Sequence, residues 1–289
     1  MLAIFKREFK AYFSSPIGFV FAGLFLLLSG IFFAAGNLLS GSPEYTGLLS
    51  TITFIFLFLV PILTMRLLSE EMRQKTDQLL ITSPLGITGI VLGKYLAAVA
   101  VFLVTLLVTV IYPVMMSFFA LLGLEWWKIV GGYVGFFLLG SAFIAVGLFF
   151  SSVTDNQIVA AMLTFAALLL MWILDALMQL VPTTWYLGVG FAGVAAVGLA
   201  ALVFFSTRSV PATAVVAVVL AAVVTVIAVV QQAAYEGLIV KVLNWFSLLK
   251  RYNDFSMGIL SLSPVVYYVS FSAAFVFLTM RMIDRKRWM

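Results

Sequence analysis

The sequence predicts an all-α polytopic membrane protein with about eight transmembrane helices, and three observations carry that prediction. Of its 289 residues, 64% are hydrophobic and only 9% charged, with a mean hydropathy of +1.22. A soluble domain of that size needs far more charge to cover its surface. Apolar runs of about 20 residues recur, each long enough to cross about 30 Å of hydrocarbon as a helix. These runs are continuous rather than alternating with period two, which argues against a transmembrane barrel.

The expected spans are residues 17–38, 47–68, 90–122, 129–150, 157–181, 186–206, 211–231 and 264–283. An even number places both termini on one side. With the N-terminus in the cytoplasm, twelve of the sixteen Lys and Arg residues lie inside: Lys6, Arg7, Lys10, Arg66, Arg73, Lys75, Lys94, Arg208, Arg281, Arg285, Lys286 and Arg287. Lys128, Lys241, Lys250 and Arg251 lie outside. That asymmetry predicts a multi-pass protein of the inner or plasma membrane with both termini cytoplasmic. It also accounts for the net charge of +5 without a nucleic-acid partner. The N-terminus lacks the small-residue cleavage site of a secretory signal.

Residues 1–15 read as a helix lying in the headgroup plane. Leu2, Phe5, Phe9, Tyr12 and Phe13 are expected on one face, Lys6, Arg7 and Lys10 mostly on the other, with Ser14, Ser15 and Pro16 breaking the helix before the first span. Residues 69–86, SEEMRQKTDQLLITSPLG, are the longest densely charged stretch. They are expected to continue the second span into a cytoplasmic helix that ends at Thr82, Ser83, Pro84 and Gly86. A short helix held between two spans and showing both signs of charge suits the docking of a soluble partner. A solvated connecting turn is the simpler reading, and the residues alone leave both open. Glu125, Trp126, Trp127 and Lys128 read as an interfacial turn with aromatic anchors. Asp155 and Asn156 read as caps of the following helix.

Residues 186–231 form a hairpin of two spans made almost wholly of Ala, Gly and Val. Gly188, Ala192, Ala196 and Ala200 repeat every four residues, as do Thr213, Ala217, Ala221 and Thr225. Small residues at that spacing let helices approach closely. Residues 232–263 form an outer amphipathic segment, with Leu238, Val242, Trp245, Leu249 and Tyr252 predicting a sustained helical stripe at the interface.

The chain has no Cys and no His, which excludes disulfides, thiolate or imidazole metal sites and imidazole catalysis. The stretch LGITGIVLGKY (85–95) fails as a phosphate-binding loop. Tyr95 follows Gly93 and Lys94 where Ser or Thr is needed, and Thr88 stands where the first Gly belongs. Lys94 is instead expected to snorkel to the cytoplasmic interface. Asp175 is the one carboxylate inside an expected span, the kind of residue that marks an ion or proton path, although two helical turns would also bring it to the outer interface. These features disfavour a membrane enzyme and an ion-coupled carrier with broken helices at mid-membrane.

The run LLSEEMRQKTDQLLITSPLGITGIVLGKYLAA resembles the second-span and coupling-helix region of type-2 ABC transporter permeases. Ser69, Glu70, Glu71, Arg73, Thr76, Leu79, Leu80, Thr82 or Ser83, Pro84, Gly93 and Lys94 carry the match. Lys75 and Gln78 depart from the usual Gly and Glu. The C-terminal stretch, with Phe255, Gly258, Tyr267 and Tyr268, is similar to the gliding-motility and copper-site-assembly branch. The resemblance implies a single permease domain with a six-helix exporter-type core, into which residues 186–231 are inserted. It implies an ABC ATPase subunit in two copies on the cytoplasmic side, touched at or near Glu70, Glu71, Arg73, Lys75, Thr76 and Asp77. ATP and Mg would be bound by that ATPase, with no cofactor, catalytic residue or metal site in this chain. It further implies pairing with a second, identical or sibling permease. Spans two and five would line the space between the two, where Thr51, Thr53, Thr64 and Thr164 are the few polar groups. In the branch, an accessory membrane or extracytoplasmic subunit would meet the outer segment, with Trp245, Lys250, Arg251, Asp254 and Phe255 as candidate contacts. The readings set against this are an ATP-independent secondary transporter and a membrane scaffold.

Overall fold

The computed structural model describes residues 1–41, 44–75, 86–118 and 124–287, with the side chains of Asp175, Gln179, Ser206, Thr207, Ala212, Phe246 and Arg287 outside that description. The described residues are predominantly helical, with no strand among them, and they include eight helical stretches long and apolar enough to cross a membrane. These are Pro16–Leu38, Tyr45–Arg73, Ile87–Ser117, Trp126–Val153, Gln157–Met178, Trp185–Phe205, Thr213–Val230 and Leu262–Lys286.

Local chemistry sets where the helices start and break. Helix α1 (Leu2–Ser14) ends at Ser15, whose extended backbone lets Pro16 open α2 (Pro16–Phe33) at a position where its missing N–H costs nothing. The second span is built from α3 (Tyr45–Ile52), a tighter turn and α4 (Phe56–Thr64), followed after a further turn by the short α5 (Ser69–Arg73). The third span breaks between α6 (Ile87–Val108) and α7 (Ile111–Ser117). Pro113 cannot donate to the Thr109 carbonyl, and the Tyr112 N–H takes that carbonyl at 2.9 Å in a tighter turn. The remaining helices are α8 (Trp126–Val153), α9 (Gln157–Leu180), α10 (Trp185–Thr207), α11 (Val210–Val230), α12 (Leu238–Phe246), α13 (Leu248–Ser256) and α14 (Leu262–Arg287). Asn156 caps α9, its Oδ1 accepting the Ile158 N–H at 2.9 Å, as expected of a residue at that position.

The chain divides into two compact units, Met1–Leu170 with Leu248–Met289, and Met171–Ser247. In the first, α8 is the central helix, packed by α4, α6, α13 and α14. It permits this through glycines at the contacts. A Cβ at Gly147 would overlap the Thr64 hydroxyl, and one at Gly135 would meet the Phe255 ring. Phe25, Phe56, Phe102 and Phe136 fill the core beside it, with ring centroids 4.6 to 6.3 Å apart.

The second unit holds the end of α9, α12 and between them α10 and α11, which pack on one another and are joined at Arg208 in a left-handed conformation. Gly188, Ala192, Ala196 and Ala200 are among the less exposed positions of α10, as their spacing predicts. In α11 the covered row begins at Thr213 and Ala217 but continues through Leu220, Val224 and Ala228, not Ala221 and Thr225. A strict four-residue repeat drifts round a helix of 3.6 residues per turn, so the covered row steps back one position after Ala217.

Residues 232–263 correct one expectation. Their apolar stripe is not one helix: Ser247, with an extended backbone, separates α12 from α13, and the two belong to different units.

Candidate functional site

Helix α1 has three faces rather than two. Ile4, Glu8 and Tyr12, spaced by four, point into the first unit. Ile4 lies over Gly93, Glu8 meets Lys94, and the Tyr12 hydroxyl donates to the Leu63 carbonyl at 2.8 Å. Tyr12 is therefore buried and leaves the aromatic face it was expected to share. Phe5, Phe9 and Phe13 form a ladder with centroids 5.9 and 5.1 Å apart. The ladder continues to Phe19 of α2 at 6.2 Å. Lys6, Arg7 and Lys10 are exposed.

The end of the second span is a joint. After Thr64 the α-helix tightens into turns over residues 65–68, and the Leu67 N–H turns to the Thr64 carbonyl at 3.1 Å. In a continuous α-helix that N–H would bond the Leu63 carbonyl, which the Tyr12 hydroxyl now satisfies. Ser151 of α8 serves the other side of the break. Its Oγ accepts the Leu68 and Ser69 N–H groups at 3.0 and 3.2 Å and donates to the Met65 carbonyl at 3.2 Å. Lys286 of α14 donates to the Ser152 carbonyl at 2.8 Å and lies 3.0 Å from the Met72 sulfur. The Leu63, Met65, Leu68 and Ser69 backbone groups are thus bound by side chains from elsewhere in the chain, so the break is specified rather than frayed.

Charge completes the brace. Lys94, at the start of the third span, does not snorkel outward: its side chain is 2% exposed and sits between Glu71 at 2.8 Å and Glu8 at 3.2 Å. Arg7 reaches both carboxylates, Glu71 at 3.3 Å. Two acids and two cations make a neutral cluster, the condition under which buried charge is tolerated. Burial pushes the Glu8 carboxyl up, but Lys94 and Arg7 outweigh it and hold the group below its ordinary value. Arg66 pairs with Glu70, whose other oxygen accepts from the Gln74 amide at 3.0 Å. A cleft of about 420 Å³ opens here, lined among others by Arg7, Glu8, Tyr12, Arg66, Glu70 and Lys94.

The expected contact residues thus divide. Glu71 faces inward into the cluster and Glu70 is bridged along its own helix. Arg73 and Lys75 are exposed, with Lys75 in a left-handed conformation that ends the described segment. Thr76 and Asp77, and the rest of the expected helix to residue 85, lie outside the described residues. Glu8, Ser151 and Lys286 went unrecognised in the sequence. Glu8 had a signal, as a carboxylate four residues before Tyr12 on a membrane-surface helix, while Ser151 and Lys286 had none.

Elsewhere, Thr53, Thr64 and Thr164 are buried and donate to carbonyls of their own helices at 2.6 to 2.8 Å; exposed Thr51 does the same at 3.0 Å. Asp175 lies in α9, its side chain outside the described residues. Trp245 is 63% exposed on α12, and Lys250 and Asp254 are exposed on α13. The Arg251 guanidinium stacks 3.8 Å over the Tyr267 ring, and Phe255 is fully buried against α8 rather than presented to a partner. Among the described residues, no group of three or more His, Cys, Asp or Glu could hold a metal ion.

Eight apolar spans, with a braced and charged break at the end of the second, define a multi-pass membrane domain. Residues 2–186 match the model of the ABC-2 family transporter protein, and the chain belongs to that family. It is the membrane-domain type of an ABC transporter permease subunit, and the match takes in α1, the joint, Lys94 and Ser151. No curated protein sequence matches the chain.

Proposed function

We propose that a separate cytoplasmic ATPase drives this permease through the joint at residues 65–75, with Arg73 and Lys75 presented to the ATPase and Glu71 holding the joint to the membrane domain. The observation that carries this reading is the break itself. Its backbone is bound by Tyr12 of α1 and Ser151 of α8, its Glu71 by Lys94 of α6, and its Met72 sulfur by Lys286 of α14, so a push on the exposed residues reaches several helices at once. Two such permeases pair and two ATPases dock, both termini facing the cytoplasm of an inner or plasma membrane. ATP and Mg are held by the ATPases. The moving spans either export a cargo or pass force to an outer subunit.

The finer branch assignment, to the gliding-motility and copper-site-assembly permeases, is supported by the packing of its motif residues. Phe255 fills the space left by Gly135, Gly258 takes a left-handed φ of +78° against Lys128, and the Tyr268 hydroxyl donates to the Leu248 carbonyl at 2.6 Å. In that version Lys250, Arg251 and Asp254 face an accessory subunit.

Purification of the tagged chain in mild detergent from its own membranes, beside an Arg73→Glu/Lys75→Glu variant, tests the reading. A soluble ATPase is expected with the parent chain and lost from the variant, which alters only exposed side chains. An intact parent chain that carries no ATPase would return the protein to an ATP-independent transporter.

A further inference from the structure

The aromatic and cationic faces of α1 are left over once the joint is assigned, and they bear on it. The Phe5, Phe9 and Phe13 ladder runs into Phe19, which is exposed on the first span, so the ladder points where that span meets lipid. At 100° per residue, Lys6 and Lys10 flank the ladder and come to lie at headgroup level when the rings are buried. The remaining face carries Ile4, Glu8 and Tyr12 onto Gly93, Lys94 and Leu63. One short helix therefore grips the leaflet on two faces and the joint on the third.

We propose that α1 makes the joint responsive to the leaflet: anionic lipid headgroups hold Lys6 and Lys10, and the Glu8–Lys94–Glu71 contact passes that hold to the joint. An anchored α1 gives the Lys94 clamp something fixed to work against, so a push on Arg73 and Lys75 moves the spans. In a neutral leaflet α1 is held by its rings alone and gives way with the joint. The inference rests on the docking reading above, and its partner is an anionic lipid surface.

The test uses the permease co-purified with its ATPase and placed in nanodiscs of phosphatidylcholine alone or with about 30% phosphatidylglycerol, with ATP hydrolysis as the readout. Hydrolysis is expected to be higher in the anionic discs by at least roughly fivefold, each of the two leaflet-bound cations being worth about that factor in lipid attraction. The difference is expected to vanish in Lys6→Gln/Lys10→Gln, whose side chains are exposed, and in Glu8→Gln. Equal rates in the two discs for the parent complex would overturn the proposal while leaving the ATPase contact standing. So would a lipid effect that survives Lys6→Gln/Lys10→Gln, or one that survives Glu8→Gln, since the first removes the contact and the second the transmission. Absence of any co-purifying ATPase would instead remove the docking reading and this inference with it.

Discussion

The joint and the α10–α11 hairpin are built from opposite materials. The joint gathers Arg7, Glu8, Arg66, Glu70, Glu71, Lys94 and Lys286 within a few ångströms of one broken helix. The less exposed positions of α10 are Gly188, Ala192, Ala196 and Ala200, and the Thr213 and Thr225 hydroxyls of α11 donate to carbonyls one turn back. Apolar small-residue packing is enough to hold two helices together in lipid. Buried charge is not needed for that, and it brings a desolvation cost that only complete pairing offsets. Its concentration at one helix end indicates a place where several elements must keep register, and that is the physical case for the joint as the working part.

The comparison is broken most severely at Lys94. Lys94→Met leaves Glu8 and Glu71 buried side by side with only Arg7 between them, a loss of about 3–5 kcal/mol. Thermal unfolding of the purified chain should show it as a large drop in midpoint or as failure to accumulate. The hairpin depends on space instead. A Cβ at Gly188 would overlap the Tyr235 carbonyl, whereas one at Gly198 would meet nothing within 4 Å. Gly188→Ala should cost about 1–3 kcal/mol, and Gly198→Ala should be neutral to within about 1 kcal/mol, as read by the same assay. Ser151→Ala strips the break of the acceptor for two N–H groups and should cost about 1–2 kcal/mol.

The smallest expected effect is on pH dependence. Burial raises the Glu8 carboxyl, but Lys94 and Arg7 outweigh it and hold the group below its ordinary value. Its contribution to stability is therefore complete above the unfolded carboxylate's titration near pH 4.3 and is lost as pH falls through the lower folded value. Unfolding midpoints between pH 3 and 7 should fall on the acid side in the parent chain, and less steeply in Glu8→Gln.

These two regions also differ in how far they could be read in advance. The hairpin was legible because its signal is local: long apolar runs, a short loop with Arg208, and, in α10, small residues at one spacing. The eight spans were legible for the same reason. The joint was legible only as a charged stretch, since what defines it is pairing between residues 86 and 83 positions apart, Glu8 with Lys94 and Ser151 with Leu68. No periodicity records such a contact. A lone Lys at the start of a span ordinarily snorkels to water, so Lys94 was placed at the interface. Only the fold shows that two carboxylates wait for it inside. The outer stripe misled for a related reason. Its spacing is helical on both sides of Ser247, and a single extended residue leaves that spacing undisturbed.

The most direct test of the central claim places a photo-crosslinking amino acid at Lys75 of the joint or at Arg208 of the hairpin turn, both expected on the cytoplasmic side. After irradiation of whole cells, adducts are identified by mass. The account predicts a crosslink from position 75 to an ABC ATPase and none to it from position 208. An ATPase adduct from position 208 with none from position 75 would contradict it and move the point of drive from the joint to the hairpin.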